Sequence, residues 1–416
     1  MLTSEQIAII LYNITLAPMI ILSLVFITFS FINLIISRKK EVEFPELKEL
    51  PFISVQIPTF NDPIAKRCVE KCMEFDYPKD KYEIIIVDDS TNEQTQRELK
   101  KYADQNPGFI KYSHRTNRHA FKPGALNEAM PITRGEILVV FDADWIPKPD
   151  FLSEIVKPFS DPKIAIVQSR QGFYNANTNL ITRFAAFVLL VYHTVVMPIN
   201  KRINCVFFCG TAGAIRRSAF DEVGGWNLHS ITEDSDLAVR LLKRGYKTTY
   251  LEMETPSEVP DTFESLIRQQ MRWSYGNIRV WIDNSKDILF GKGFTLRQRA
   301  MITYITMANV IAPIVVFMTF FGMLGWFLGE DKLFQLGDIW ELTSKILYTS
   351  GFFLMGALAL FKRKELKEFP AYVASVFTIG LIIAASNSIA AYKAVTNQKL
   401  HWHCTPKIDN SKTNIK

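Results

Sequence analysis

Asp142 and Asp144 follow the apolar run Ile137-Leu138-Val139-Val140-Phe141, so two carboxylates one residue apart stand at the end of a candidate strand. Hard cations such as Mg²⁺ or Mn²⁺ take oxygen ligands, and such a pair supplies two of them. Asp-x-Asp alone is common in surface loops, but a second acidic strand end, Asp88-Asp89 after Tyr82-Glu83-Ile84-Ile85-Ile86-Val87, repeats the arrangement. Thr232-Glu233-Asp234 precedes the helix-like stretch 237–244. A carboxylate there can act as a general base, or it can serve only as a capping turn that complements the helix dipole. Gln269-Gln270-Met271-Arg272-Trp273 sets an amide, a guanidinium and an indole at helical offsets. The guanidinium suits a diphosphate or carboxylate and the indole offers a face to a sugar ring, although an Arg/Trp pair also suits a membrane interface.

These groups need elements to position them. Ile53-Ser54-Val55-Gln56-Ile57-Pro58 reads as a first strand, followed by a polar loop over 59–62 and a helix-like stretch to about Phe75. Apolar strands alternating with helices predict a parallel sheet buried on both faces, and ligands of such sheets bind at the carboxyl ends of the strands. Asp88, Asp89, Asp142 and Asp144 occupy those ends.

Of the 416 residues, 48% are hydrophobic and 22% are charged. Both values fit one chain because the apolar residues cluster at 7–36, 301–328, 346–361 and 371–391, leaving 41–299 as a water-soluble region. The first cluster exceeds the ~20 residues that span a bilayer core, and it lacks the small-residue cleavage site of a signal peptide. Arg38-Lys39-Lys40 after it places the next domain on the cytoplasmic side. The stretch 182–199 is apolar but carries Arg183 and His193, which predicts a helix in the membrane interface or a buried helix of the soluble domain. The net charge of +6 is spread without an arginine-rich tract, so no nucleic-acid partner is implied. Five cysteines, with Cys68/Cys72 and Cys205/Cys209 four apart, form no metal array and read as reduced thiols.

In order, Val87-Asp88-Asp89, Phe141-Asp142-Ala143-Asp144, Thr232-Glu233-Asp234 and Gln269-x-x-Arg272-Trp273 resemble the motifs of membrane-bound family 2 glycosyltransferases. That family includes cellulose, hyaluronan and glucomannan synthases and ceramide glucosyltransferase. Phe207-Phe208-Cys209-Gly210-Thr211 resembles its acceptor-cradling segment, and Lys122-x-Gly124-x-x-Asn127 its donor-site motif. The likeness runs from about Ser54 to Gln298. It implies an α/β GT-A fold, a Rossmann-like nucleotide-binding domain in the cytosol, with α-helical transmembrane segments. The implied layout is an anchor over 1–40, the GT-A domain over 41–260 and interfacial helices over 261–298. A membrane region follows over 299–395, with 370–392 interfacial, re-entrant or crossing, and a lid-like tail over 396–416.

By the same resemblance Pro58, Thr59, Asn61, Asp88, Asp89, Lys122, Asp142, Gln269 and Arg272 hold the donor, and Asp142 with Asp144 hold Mg²⁺ or Mn²⁺. Asp234 is the general base, with Glu233 and Asp144 beside it in the catalytic group. Phe208, Cys209, Gly210, Thr232 and Trp273 face the acceptor. Trp402-His403-Cys404-Thr405-Pro406-Lys407 resembles the family's Phe/Trp-x-x-Thr-x-Lys lid, which adds Thr405 and Lys407 to the donor and Trp402 to the acceptor. The first motif departs from the family at Asn61-Asp62, where Glu is usual, which leaves the nucleobase open; a UDP-hexose is the expected donor ahead of GDP-mannose. Processive synthesis of a β-glycan is the first reading of the acceptor, and glycosylation of a lipid is the second. A silent nucleotide-sugar binder would need a missing carboxylate, and none is missing. Membrane lipids are implied neighbours, and a homo-oligomer is left open.

Overall fold

The computed structural model describes residues 2–38, 44–45, 47–328 and 350–400. Trp402, Thr405 and Lys407, with the rest of the lid-like tail, lie outside the described residues.

The core is a seven-stranded sheet of β1 (Ile53–Thr59), β2 (Tyr82–Asp88), β3 (Ile110–His114), β4 (Ile137–Val140), β5 (Ile164–Phe173), β6 (Gly213–Arg216) and β7 (Lys247–Ser257), ordered β3-β2-β1-β4-β6-β5-β7. Successive strand side chains point to opposite faces, and both faces here are apolar. Ile84, Ile86 and Val139 join one core cluster, while Ile85, Val87, Leu138 and Val140 join the other. Helices flank the sheet or pack beside it: α1 (Ser4–Ile36), α2 (Ala65–Met73), α3 (Glu93–Gln105), α4 (Phe121–Ala129), α5 (Phe151–Ile155), α6 (Leu180–Arg202), α7 (Arg217–Glu222), α8 (Glu233–Lys243), α9 (Phe263–Phe290), α10 (Leu296–Phe327), α11 (Gly351–Lys362) and α12 (Leu366–Val395).

Registers Thr59↔Asp88 and Gln56↔Val140 bring the carboxyl ends of β2, β1 and β4 to one edge, as the strand pattern predicts. The sheet is not wholly parallel. β6 runs antiparallel to β4 and β5, with Val140 opposite Gly213. A four-residue strand opening on glycine lacks the apolar run by which its neighbours are legible. The reversal matters for function, because the segment entering β6 arrives at the edge where β4 ends.

Among the described residues four helices, α1, α6, α10 and α12, are long and apolar enough to cross a membrane. The sequence reads α6 as interfacial or buried, and 61% of its most apolar stretch is buried in the protein. Asn33 of α1 donates to its Thr194 and Val195 carbonyls at 3.1 and 3.0 Å, and Phe187 packs edge-on against Tyr372 of α12. Other helices therefore cover the apolar face expected to meet lipid. α11 runs parallel to α1, with Gly351 N–H bonded to Ser23 and Lys362 to Asn33 at 2.6 Å. α10 runs antiparallel to α1, Tyr304 meeting Phe29 and Gly322 meeting Tyr12. α12 differs. Glu368 at its start pairs with Arg183 at 2.9 Å, Arg279 of α9 donates to the Ala394 carbonyl at its end, and residues after it reach the sheet's cavity.

Gly276 is where α9 meets the acidic start of α8. A methyl group there would overlap Thr232. Gly276→Ala is expected to cost about 1–3 kcal/mol through overpacking, read as a lowered midpoint of thermal unfolding; an unchanged midpoint would show that the two elements separate without cost.

Candidate active site

A cavity of about 1010 Å³ opens over the β1–β4 edge, at the upper end of the roughly 300–1,000 Å³ usual for small-molecule sites. Pro58, Thr59, Asn61, Asp89, Lys122, Asp142, Asp144, Cys209, Gly210, Glu233, Asp234, Gln269, Arg272 and Trp273 all line it. Motifs spread over more than two hundred positions thus converge on one wall. Asp88, Phe208 and Thr232 do not line it. Asp88 accepts from Ser90 N–H at 2.9 Å and Tyr112 hydroxyl at 2.6 Å, beneath the floor. Phe208 is 1% exposed in the core beside Trp226, and Thr232 packs on Gly276.

At the centre, Lys122 Nζ lies 2.6 Å from Asp142 Oδ1 and 2.8 Å from the Gly210 carbonyl oxygen. Asp142 N–H in turn donates to Thr211 Oγ1 at 2.9 Å. Gly210 has φ +77°, and a Cβ built on it would stand 2.9 Å from Asp234 Oδ2, so the Asp234 carboxylate faces this backbone without an intervening side chain. Asp234 Oδ1 accepts from Ser235 N–H at 2.8 Å. Thr232 holds the N-cap position of α8 but makes no capping bond. The first turn therefore carries Glu233, Asp234 and Asp236 toward positive backbone charge, not a conventional cap.

Charge is concentrated here. Burial works to lower the Lys122 ammonium, but Asp142 and then Glu233 raise it, so it stays protonated. Burial raises Asp234, opposed by the Ser235 N–H, Arg272 and Lys122. Burial and then the adjacent Asp234 charge push Glu233 up to about 7. Among the described residues no group of three or more His, Cys, Asp or Glu is arranged to cage a metal. Asp142 and Asp144 instead fit a hard cation that takes few protein oxygens and draws the rest from phosphates and water.

Residues beside the cavity hold its lining in place. Arg67 donates to the Asp144 carbonyl at 3.3 Å and to Tyr174 hydroxyl at 2.7 Å, and Glu258 N–H donates to Asp144 Oδ2 at 3.3 Å. Arg115 forks onto Asp89 at 2.5 and 2.8 Å. Asn61, the departure in the first motif, binds Ser90, Thr91 and Asn92 and so ties the β1 loop to the β2 loop. Only the pair of arginines preceding Lys122 could have flagged that loop in the sequence.

Residues 137–362, more than half of the chain, match the family model described as glycosyl transferase family group 2. The chain belongs to that family. Among curated family relatives, probable glucomannan 4-beta-mannosyltransferase 7 of Oryza sativa subsp. japonica is 34% identical over 282 residues, covering 64% of this chain and 48% of that protein. Glucomannan 4-beta-mannosyltransferase 7 of Arabidopsis thaliana is 33% identical over 280 residues, covering 64% of this chain and 50% of that protein. This chain spans about half the length of the curated relatives it matches. Among solved structures, mannosyltransferase PcManGT from Pyrobaculum calidifontis, in complex with GDP-Man and Mn²⁺, superimposes with a TM-score of 0.67 at 19% identity, over 95% of this chain and 99% of that one. That likeness establishes the GT-A fold.

The Glu233 carboxyl offers a test of this family site by itself. Its folded value, about 7, lies above its ordinary 4.5, so its contribution to stability is whole below about 4.5 and is lost as pH rises through about 7. Glu233→Gln mimics the protonated form. Relative to the parent, the variant should gain thermal stability at pH 8.5 but not at pH 4; an equal difference at both pH values would refute the raised value.

Proposed function

We propose that this chain is an inverting glycosyltransferase that moves mannose from GDP-mannose to an acceptor sugar at the cytoplasmic face of a membrane, extending a β-linked glycan. One observation carries the reading. The carboxylate suited to be the base, Asp234, faces the Lys122–Asp142 pair across the bare backbone of Gly210, so base and donor-side charges meet at one gap.

In this scheme Pro58, Thr59, Asn61 and Asp89 frame the nucleoside, and Lys122 and Arg272 contact the diphosphate. Asp142 and Asp144 would hold Mg²⁺ or Mn²⁺, which when bound neutralises charge on the leaving nucleoside diphosphate. Arg67 and the Glu258 backbone orient Asp144 through the bonds described above. Asp234 accepts the proton of the acceptor hydroxyl as that oxygen attacks the anomeric carbon, giving inversion in a single displacement. Trp273 supplies a face for the acceptor ring and Gln269, whose side-chain oxygen has no protein partner, a polar group beside it.

The donor follows from what the relatives are named for. Glucomannan 4-beta-mannosyltransferases and a neighbour solved with GDP-Man favour GDP-mannose, which reverses the preference for a UDP-hexose drawn from the sequence. Mn²⁺ in that neighbour supports a divalent cation. Basic flanks and the parallel course of α1 and α11 favour a cytoplasmic catalytic domain. α12, with both ends against that domain, is read as lying along the interface without crossing, which brings Asn397, Lys399 and Leu400 to the cavity mouth. A lipid acceptor is a second reading, favoured by apolar Phe173 and Leu189 in the cavity lining.

Purified protein given labelled GDP-mannose or UDP-glucose with Mn²⁺ should transfer mannose into material retained by a sizing gel. Label recovered only in organic solvent would replace the glycan acceptor by a lipid, and preference for UDP-glucose would overturn the donor. Excess chelator should reduce transfer by at least tenfold; full activity in chelator would exclude the metal role. Asp234→Asn should lower turnover by roughly 10²–10⁴-fold, the usual worth of a general base, while GDP affinity stays within a few-fold. Normal turnover by that variant would remove Asp234 from the mechanism.

A further inference from the structure

The cavity contains an arginine that neither the motifs nor the scheme above employs. Arg118 lies in the loop before α4, its guanidinium carbon 3.4 Å from the Phe60 ring centroid and 5.4 Å from that of Phe121. All three residues line the cavity. At 3.4 Å the planar cation rests on the Phe60 ring in van der Waals contact. Stacking engages the faces of a guanidinium, whereas its N–H donors all lie in its plane and are directed sideways.

Both loops carrying the pair are held rigidly. Arg115 donates to the His119 carbonyl at 2.9 Å and the Phe121 carbonyl at 2.6 Å, bracketing the turn, while it forks onto Asp89. Ala120 and Phe121 have φ of 55° and 47°, and Asn61, next to Phe60, has 49°. Consecutive non-glycine residues in the left-handed region persist only where surrounding bonds over-determine them, and they cluster at ligand sites. Such bonds are present here: Asn61 is tied to three residues of the β2 loop, as described above. The pair flanks the ends of β1 and β2, one or two strands away from Asp142 at the end of β4, where Lys122 stands in the place that the proposed scheme gives the diphosphate. Adjacent strands are about 4.8 Å apart, so this displacement matches the reach from a diphosphate to its base.

We infer that Arg118, held flat on Phe60, is the residue that selects the donor's nucleobase, reading the O6 and N7 acceptors of guanine with two in-plane N–H donors. The inference rests on the GDP-mannose reading and deepens it. Arginine has donors and no acceptor, so it matches the paired acceptors of guanine's Hoogsteen edge. Uracil places an N–H donor beside its O4 acceptor, and a second arginine donor meets that N–H unfavourably.

The experiment uses the full chain in detergent with Mn²⁺ and measures dissociation constants by calorimetry for GDP, UDP, 7-deaza-GDP and pyrophosphate. The parent protein should bind GDP more tightly than UDP, and 7-deaza-GDP, which lacks only the N7 acceptor, more weakly than GDP. One bidentate arginine–guanine contact is worth roughly ten- to a hundredfold in discrimination, so the GDP preference should fall by that order in Arg118→Lys and Arg118→Ala. Pyrophosphate affinity should not move in either variant. Parent protein that binds 7-deaza-GDP as tightly as GDP overturns the inference without any substitution, so a variant that fails to fold does not shelter it. A GDP preference that persists in both variants overturns it while leaving the donor reading intact. Equal losses for GDP, UDP and pyrophosphate would place Arg118 on the phosphates and overturn it as well. A parent protein with no preference for GDP over UDP would bring down the donor reading and this inference together.

Discussion

The pairing of Lys122 with Asp142 and with the carbonyl of Gly210 is the contact on which the site depends. Carboxylates crowd one partly buried cavity, and each raises the cost of ionising the next. Burial first, and then the neighbouring Asp234 charge, displace Glu233 to about 7. An ammonium at the centre offsets that cost, and because it also holds the Gly210 carbonyl it ties the end of β4 to the backbone that faces Asp234. Arg272 adds a second positive charge to the cavity lining, lowering both Glu233 and Asp234 against the effect of burial. Without these cations Asp234 would be pushed further up by burial, and a protonated Asp234 cannot accept a proton.

Around that centre the structure is rigid where geometry must be kept. Asp144 is 2% exposed and gripped from both sides through Arg67 and the Glu258 backbone. Gly276 lets α9 press on Thr232, so Arg272 and Trp273 share a helix with the contact that fixes their height above Asp234. The apolar helices are joined to the sheet by polar contacts: Asn33 to α6, Lys362 to Asn33, and Arg363 to Glu254 of β7. A movement of α11 or α1 would therefore be felt at β7, whose last residues lead into the cavity lining at Glu258.

Much of this was legible in the sequence. The strands that carry Asp88, Asp89, Asp142 and Asp144 are unbroken apolar runs, and runs of that kind have few alternatives to a buried sheet. The acidic start of α8, the Gln269–Trp273 motif and the apolar spans 7–36 and 301–328 were legible for similar reasons. What could not be read was direction and partnership. Asp88 and Asp89 look equivalent as letters, yet Tyr112 and Ser90 draw one below the floor while Arg115 presents the other. Phe208 stands one residue from Cys209, yet only the cysteine reaches the cavity, since neighbours at a strand entrance point to opposite sides. The reversed strand β6 was invisible because four residues give no period, and α6 stayed between interfacial and buried because covered and lipid-facing helices have the same composition. The donor was not legible in the first motif, where Asn61 stands in place of the usual Glu and bonds to the neighbouring β2 loop.

The reversal of β6 has one more consequence. It lays the Gly210–Thr211 segment against the end of β4, so the β6 side of the site and the side that carries Lys122 touch through a main-chain oxygen on one and the Lys122 ammonium on the other. Main-chain atoms do not vary with the amino acid. Correlated substitution between Lys122 and position 210 will therefore be silent, however tightly the two halves are coupled, and methods that infer proximity from co-varying columns will undercount the contact that matters most here. Diversification follows the same logic. Segments lining the β6 side can drift in sequence without renegotiating their join to the Lys122 side, as long as residue 210 keeps a bare, left-handed backbone.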